Sequence, residues 1–215
     1  MVKNFMFQSC QLFVRILVIC ALAVPMMTRP ADTEVIISKS FSYFAVGGRT
    51  PEELDRELNR RGPFMKSSGM RHPGATQMKF GGKVSYEKKD GRCRIADATV
   101  TLDTKLILPR WSNRNRAERD MVVIWDALAG DIKRHEERHA EIARIYARKI
   151  EKSIRKLRTA KTCDILEKQV AEKTSALMEE HDREQARFDR TEAINFENRM
   201  VRLLKYRLEQ LEKRK

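Results

Sequence analysis

The chain has 215 residues, of which 41% are hydrophobic and 34% charged. The apolar share suffices for a packed core, which excludes wholesale disorder, and the length suits one domain or one domain plus an appendage. Lys and Arg number 44 against 30 Asp and Glu, a net charge of +14 that suits anionic lipid, glycan or nucleic acid without singling out nucleic acid.

The first segment has the layout of a secretory signal. Lys3 and Arg15 supply positive charge, and Ile16 to Met27 is an apolar run broken only by Pro25. Such a run fits a signal h-region and is short for a spanning helix. Ala21-Leu22-Ala23 has the small-x-small form a signal peptidase reads, giving a signal over 1–23, with a cut as late as 31 as the other boundary. The expected location is therefore periplasmic or secreted; the alternative is a membrane anchor formed by an uncleaved N-terminal segment. Cys10 and Cys20 leave with the signal. Cys93 and Cys163 remain, and an even count in an oxidising compartment predicts one disulfide.

Residues 32–215 read as one domain, with an α+β part over 33–110 and a helical part over 115–215. Val35 to Val46 is rich in β-branched and aromatic residues and stops at Gly47-Gly48. Thr50-Pro51-Glu52-Glu53 announces a short helix: Thr50 as N-cap, Pro51 in the first turn, Glu53 three residues after the cap. Gly62-Pro63 ends it, and residues 65–75 read as loop. Two strand-like runs follow, Thr76 to Glu87 and Arg92 to Leu108, joined by a segment containing Asp90-Gly91, a hairpin signal. Val100, Leu102, Leu106 and Leu108 alternate as in a half-buried strand, and Pro109 is expected to close it. From about Asn115 to Arg158 the apolar residues recur at helix spacing: Trp125, Leu128, Ile132, Ile142, Tyr146, Ile150 and Ile154. After a turn near Lys161, a second long helix starts near Cys163. Two long helices joined by a short turn lie antiparallel. The expected fold is α+β: a small antiparallel β-sheet with a short helix, packed on a long antiparallel helical hairpin.

His135-Glu136-Glu137-Arg138-His139 is an H-E-x-x-H motif on that first long helix. Positions i and i+4 stack on one helix face, so both imidazoles reach one metal ion, and zinc accepts such nitrogen ligands. Glu136, beside the first ligand, is placed as general base for an attacking water. The gap in the apolar series between Ile132 and Ile142 is filled in phase by His135 and His139, so both rings face the core. A third ligand must come from elsewhere. With the hairpin turn near Lys161, the counterpart of His139 falls near residue 183, a window holding His181, Asp182, Glu184 and Asp189. His181 is the first choice, because the Leu166, Val170, Leu177 face continues through it; Glu184 and Glu192 are the alternatives. Asp131, four residues before His135, reads either as a carboxylate that orients that imidazole or as an ordinary surface aspartate. His72, before Pro73, reads as a polar loop residue.

With these residues in view, the chain resembles a bacterial family of predicted secreted zinc-dependent proteases known as the domain of unknown function 922. The shared features are a strand ending at Gly48 with Thr50 and Leu54 after it, Gly62-Pro63, Cys93, Leu108-Pro109 with Trp111, Trp125, His135-Glu136 with His139, and Cys163. The resemblance departs late in the chain: the family has a Tyr-Asp, a Thr and a His-Gly pair, whereas here Phe188-Asp189-Arg190-Thr191-Glu192 stands and no His-Gly follows. What the resemblance and motif imply together is a metallopeptidase of the cell envelope acting on peptide or protein substrates, with Zn²⁺ on His135 and His139. The alternative is a non-catalytic basic envelope protein whose helical hairpin binds an anionic surface or a partner helix.

Overall fold

The computed structural model describes residues 32–66 and 69–213. The signal expected over 1–23, with its later boundary at 31, lies outside the described residues.

Asp90 and Gly91 both adopt positive φ, 52° and 70°, the backbone twist that a two-residue hairpin turn requires and that glycine supplies without strain. They join β4 (Ala75–Lys89) to β5 (Arg92–Trp111) in an antiparallel ladder. β1 (Asp32–Val46) lies on the other side of β5, giving the order β1-β5-β4. The β1–β5 pairing is parallel over its whole length, so the sheet is mixed and not the antiparallel sheet expected from the sequence. The physical reason is connectivity. β1 reaches β5 only after a helix and all of β4, so no local turn fixes its direction. Strand β5 also runs through Pro109 to Trp111 instead of ending before the proline.

Between β1 and β4 lies α1 (Pro51–Arg61), capped as its sequence predicts: Thr50 Oγ1 accepts from the Glu53 amide at 3.3 Å. The segment expected as loop holds a two-stranded ribbon, β2 (Phe64–Met65) with β3 (Met70–Arg71). Past a 3₁₀ turn at Arg114–Arg116 come the two long helices, α2 (Arg119–Arg155) and α3 (Cys163–Glu212). Their cross-contacts pair His139 with Gln185, Asp131 with Arg199 and Asp126 with Arg207, which is an antiparallel hairpin.

The inner face of β5 presents Val100, Leu102, Leu106 and Leu108, all buried, as its alternation predicts. Val100 and Leu102 pack in one cluster with Ala143, Ala147, Ile150 and Ile154 of α2 and Leu166 of α3. Fully burying each large side chain contributes about 1.5–3 kcal/mol. The two fully buried alanines let the α2 backbone come close to the sheet. A second cluster of Val46, Leu54, Leu58, Trp111 and Trp125 fixes the opposite end of α2. A disulfide joins Cys93 on β5 to Cys163 at the start of α3, and Cys93 also exchanges two backbone hydrogen bonds of 2.9 Å with Ala160. The α2–α3 turn is thereby tied to the sheet, which fixes the register in which α3 passes α2. Among the described residues no helix is long and apolar enough to cross a membrane.

Candidate metal centre

His135 and His139 lie one turn apart on α2 and meet edge to face, ring centroids 4.7 Å apart. Their Nε2 atoms are 3.0 Å apart. Across the hairpin, α3 brings Asp189, whose Oδ1 lies 2.9 Å from His139 Nε2 and 3.4 Å from His135 Nε2. Phe188 holds this part of α3 in place, stacking on His135 at 4.9 Å and meeting His139 edge-on at 5.0 Å. The three donors thus form a small triangle that can hold a metal ion. A tetrahedral ion with bonds of about 2.0–2.1 Å has ligand-to-ligand edges of about 3.3 Å. Edges of 2.9, 3.0 and 3.4 Å are close to one face of that tetrahedron. Two imidazoles and a carboxylate are also a donor set that divalent transition metals accept.

Charge agrees with geometry. Burial pushes the Asp189 carboxyl up, but hydrogen bonds from His135 and His139 outweigh it and hold the group below the usual carboxylate range. Burial pushes His139 down, yet the bonds to Asp189 and Gln185 leave it raised.

Glu136 is buried on the sheet side of α2, 5% exposed. Thr76 Oγ1, on β4, lies 2.8 Å from both its Oε2 and its carbonyl oxygen. Burial raises the Glu136 carboxyl; the Thr76 hydrogen bond and the neighbouring His139 and His135 pull the other way without cancelling it. Gly74 makes room for this side chain. A Cβ there would stand 2.9 Å from Glu136 Oε1 and 2.8 Å from Ile132 Cγ2.

The outer ring nitrogens face polar partners. His139 Nδ1 is 2.6 Å from Gln185 Oε1. Gln185 Nε2 donates to the His139 carbonyl oxygen at 3.2 Å and lies 2.9 Å from His181 Nε2. His135 Nδ1 faces Glu192 Oε2 at 3.7 Å. Glu192 is paired with Arg134 and Arg199, and both arginines also bond Asp131. The centre opens into a cleft of about 570 Å³, walled by Ala75, Thr76 and Met78 of β4, Ile132 of α2 and Ala193 and Phe196 of α3.

Of the residues singled out in the sequence, His135, Glu136 and His139 come together here. The other expectations are redistributed. His181 is buried one turn before Gln185, with Phe80 and Tyr146 edge-on to its ring, and is not in the donor triangle. Glu184 lies on the solvent side of α3, bonded to Arg187. Glu192 stands behind His135 and not beside its Nε2. Asp131 bonds Arg134 and Arg199 instead of the imidazole. His72 lines the cleft. Asp189 lies in the expected window and supplies the third donor, and Gln185 is a residue the sequence reading does not single out. Its signal is spacing: it follows His181 by one turn and stands opposite His139.

Fold and site together define an α+β protein with a two-histidine, one-carboxylate cluster on a helical hairpin. The chain belongs to the family described as bacterial protein of unknown function (DUF922), which it matches over residues 41–196. That span runs from within β1 through the whole cluster. Comparison with curated proteins and with solved structures finds no match.

Proposed function

We propose that this protein is a zinc-dependent hydrolase of the cell envelope, a metallopeptidase in which His135, His139 and Asp189 hold the metal and Glu136 is the general base. The observation that supports it best is the donor triangle with a buried carboxylate beside it, opening to a cleft. Two imidazoles and one carboxylate leave a fourth tetrahedral position free, as catalytic zinc sites do. When bound, zinc supplies a Lewis acid that brings a water toward neutral pKa and polarises a carbonyl.

The chain's own residues do the rest. Glu136 takes a proton from the attacking water and returns it to the leaving amine. A raised carboxyl suits that exchange better than an ordinary one, because its pKa lies nearer neutral pH. Thr76 and Gly74 hold the carboxylate in one position against β4. Met78, Ile132 and Phe196 give the cleft beside these groups an apolar wall. The Cys93–Cys163 disulfide supports an oxidising compartment, and with the N-terminal run of the sequence it supports export. The test is zinc stoichiometry of the purified protein together with hydrolysis of a peptide library. A metal-free protein after non-chelating purification, unable to take up zinc, refutes the proposal.

A further inference from the structure

We infer that Gln185 and His181 are positioning residues that lock His139 in the tautomer whose Nε2 is free for a metal. The inference deepens the metal reading above and rests on it.

The assignment starts from a backbone atom. A carbonyl oxygen only accepts, so the end of the Gln185 side chain 3.2 Å from the His139 carbonyl must be its NH₂. The other end, 2.6 Å from His139 Nδ1, is then the amide oxygen. An oxygen cannot donate, so Nδ1 carries the proton. In a neutral ring Nε2 is then a bare lone pair: it accepts from His135 Nε2 at 3.0 Å, whose proton Asp189 Oδ1 shares at 3.4 Å. The second proton of the amide meets His181 Nε2 at 2.9 Å. That nitrogen must accept, which places the His181 proton on Nδ1, where Asp182 Oδ1 accepts it at 2.9 Å.

Each link therefore forces the next, from a carbonyl to a ligand nitrogen. A flipped Gln185 would set its oxygen against the His139 carbonyl and its NH₂ against Nδ1. His139 would then carry its proton on Nε2 and could not ligate through it. His181 opposes the flip because its Nε2 needs a donor, and it is held in place, 4% exposed, with Phe80 and Tyr146 edge-on to its ring. Partners that fix a ligand's tautomer in this way are worth about 10–100-fold in metal affinity.

Two measurements test it. In the metal-free wild type, at a pH where both rings are neutral, two-bond ¹H–¹⁵N correlation should show His139 and His181 each protonated at Nδ1. Either ring protonated at Nε2 overturns the inference. By chelator competition, Gln185→Leu should bind zinc about 10–100-fold more weakly than the wild type. His181→Phe, which keeps a ring between Phe80 and Tyr146, should weaken binding less and give His139 a mixture of tautomers. Wild-type affinity in Gln185→Leu overturns the role of Gln185, and a single unchanged His139 tautomer in His181→Phe overturns that of His181. A wild type that binds no zinc yet shows both Nδ1 protons refutes the metal reading alone and leaves the tautomer lock standing.

Discussion

Gly74→Ala is a substitution that acts directly on the proposed base while leaving the three proposed ligands in the chain. The added Cβ would sit 2.8 Å from Ile132 Cγ2, 2.9 Å from Glu136 Oε1 and 3.1 Å from Glu136 Cγ. Ordinary carbon–carbon contact is about 3.5–4.0 Å, so about 0.7 Å or more must be found against Ile132. Ile132 is β-branched on a helix and has little rotamer freedom to give. The Glu136 carboxylate is the far end of a longer side chain, so it moves, and its bond to Thr76 at 2.8 Å lengthens or breaks. Overpacking of this kind costs about 1–3 kcal/mol, which for a chain of this size lowers Tm by roughly 2–12 °C. Misplacing a catalytic group by about 1 Å costs on the order of 10²-fold in rate. The three atoms nearest the new methyl belong to Ile132 and Glu136 and none to a proposed ligand, so zinc affinity should stay at the wild-type value. Thermal melting, chelator competition and peptide-library hydrolysis read the three quantities separately. An alanine variant with wild-type Tm and wild-type rate would refute the claim that Gly74 makes room for Glu136.

Replacing both Cys93 and Cys163 by Ala releases a loop of 70 residues' separation, which should cost on the order of 4 kcal/mol by loop-closure entropy, read by urea titration; an unchanged midpoint would contradict it. Arg199→Met leaves the buried Asp131 with Arg134 alone and should cost about 2–3 kcal/mol near neutral pH. Burial pushes the Asp131 carboxyl up, but Arg199 and Arg134 outweigh it and hold it low. A depressed folded pKa gives stability that is complete above the unfolded value of about 3.9 and lost as pH falls through the folded one. The stability gap between wild type and Arg199→Met should therefore narrow below about pH 4, and a gap constant to pH 2 would refute the pairing. Asp189→Asn should lose stoichiometric zinc whereas Glu184→Gln should keep it, by metal analysis after dialysis; the reverse pattern would return the ligand role to Glu184.

The elements were legible where one residue decides local geometry. Asp90-Gly91 specified the hairpin, Thr50 with Glu53 specified the start of α1, and the i, i+4 spacing specified the paired rings on α2. The parallel direction of β1 was not legible, because it depends on a pairing partner separated by a helix and another strand. The third donor fell between these cases. Chain arithmetic across a short turn located the opposing stretch of α3 to within a turn. It could not say which side chain turns inward, since α3 carries charge on every face and its buried positions are Leu166, His181 and Gln185. His181 satisfied the burial expectation but faces Gln185, about two turns before Asp189. Asp189 reaches the centre because Phe188 stacks on His135 and carries the next residue over the rings. The Glu192–Arg199–Asp131 network joins residues far apart in sequence, and no spacing rule addresses it.

The measurement that bears most directly on the central claim compares Glu136→Gln with His139→Ala for bound zinc and for hydrolysis in the same preparations. Glu136 touches Thr76 and none of the three donor atoms makes a bond to it, so Glu136→Gln should retain one zinc per chain while hydrolysis falls by about 10²–10⁴-fold. His139→Ala removes one corner of the triangle and should lose both metal and activity. Loss of zinc in Glu136→Gln, or full activity in either variant, would contradict the assignment of His135, His139 and Asp189 as ligands and Glu136 as base.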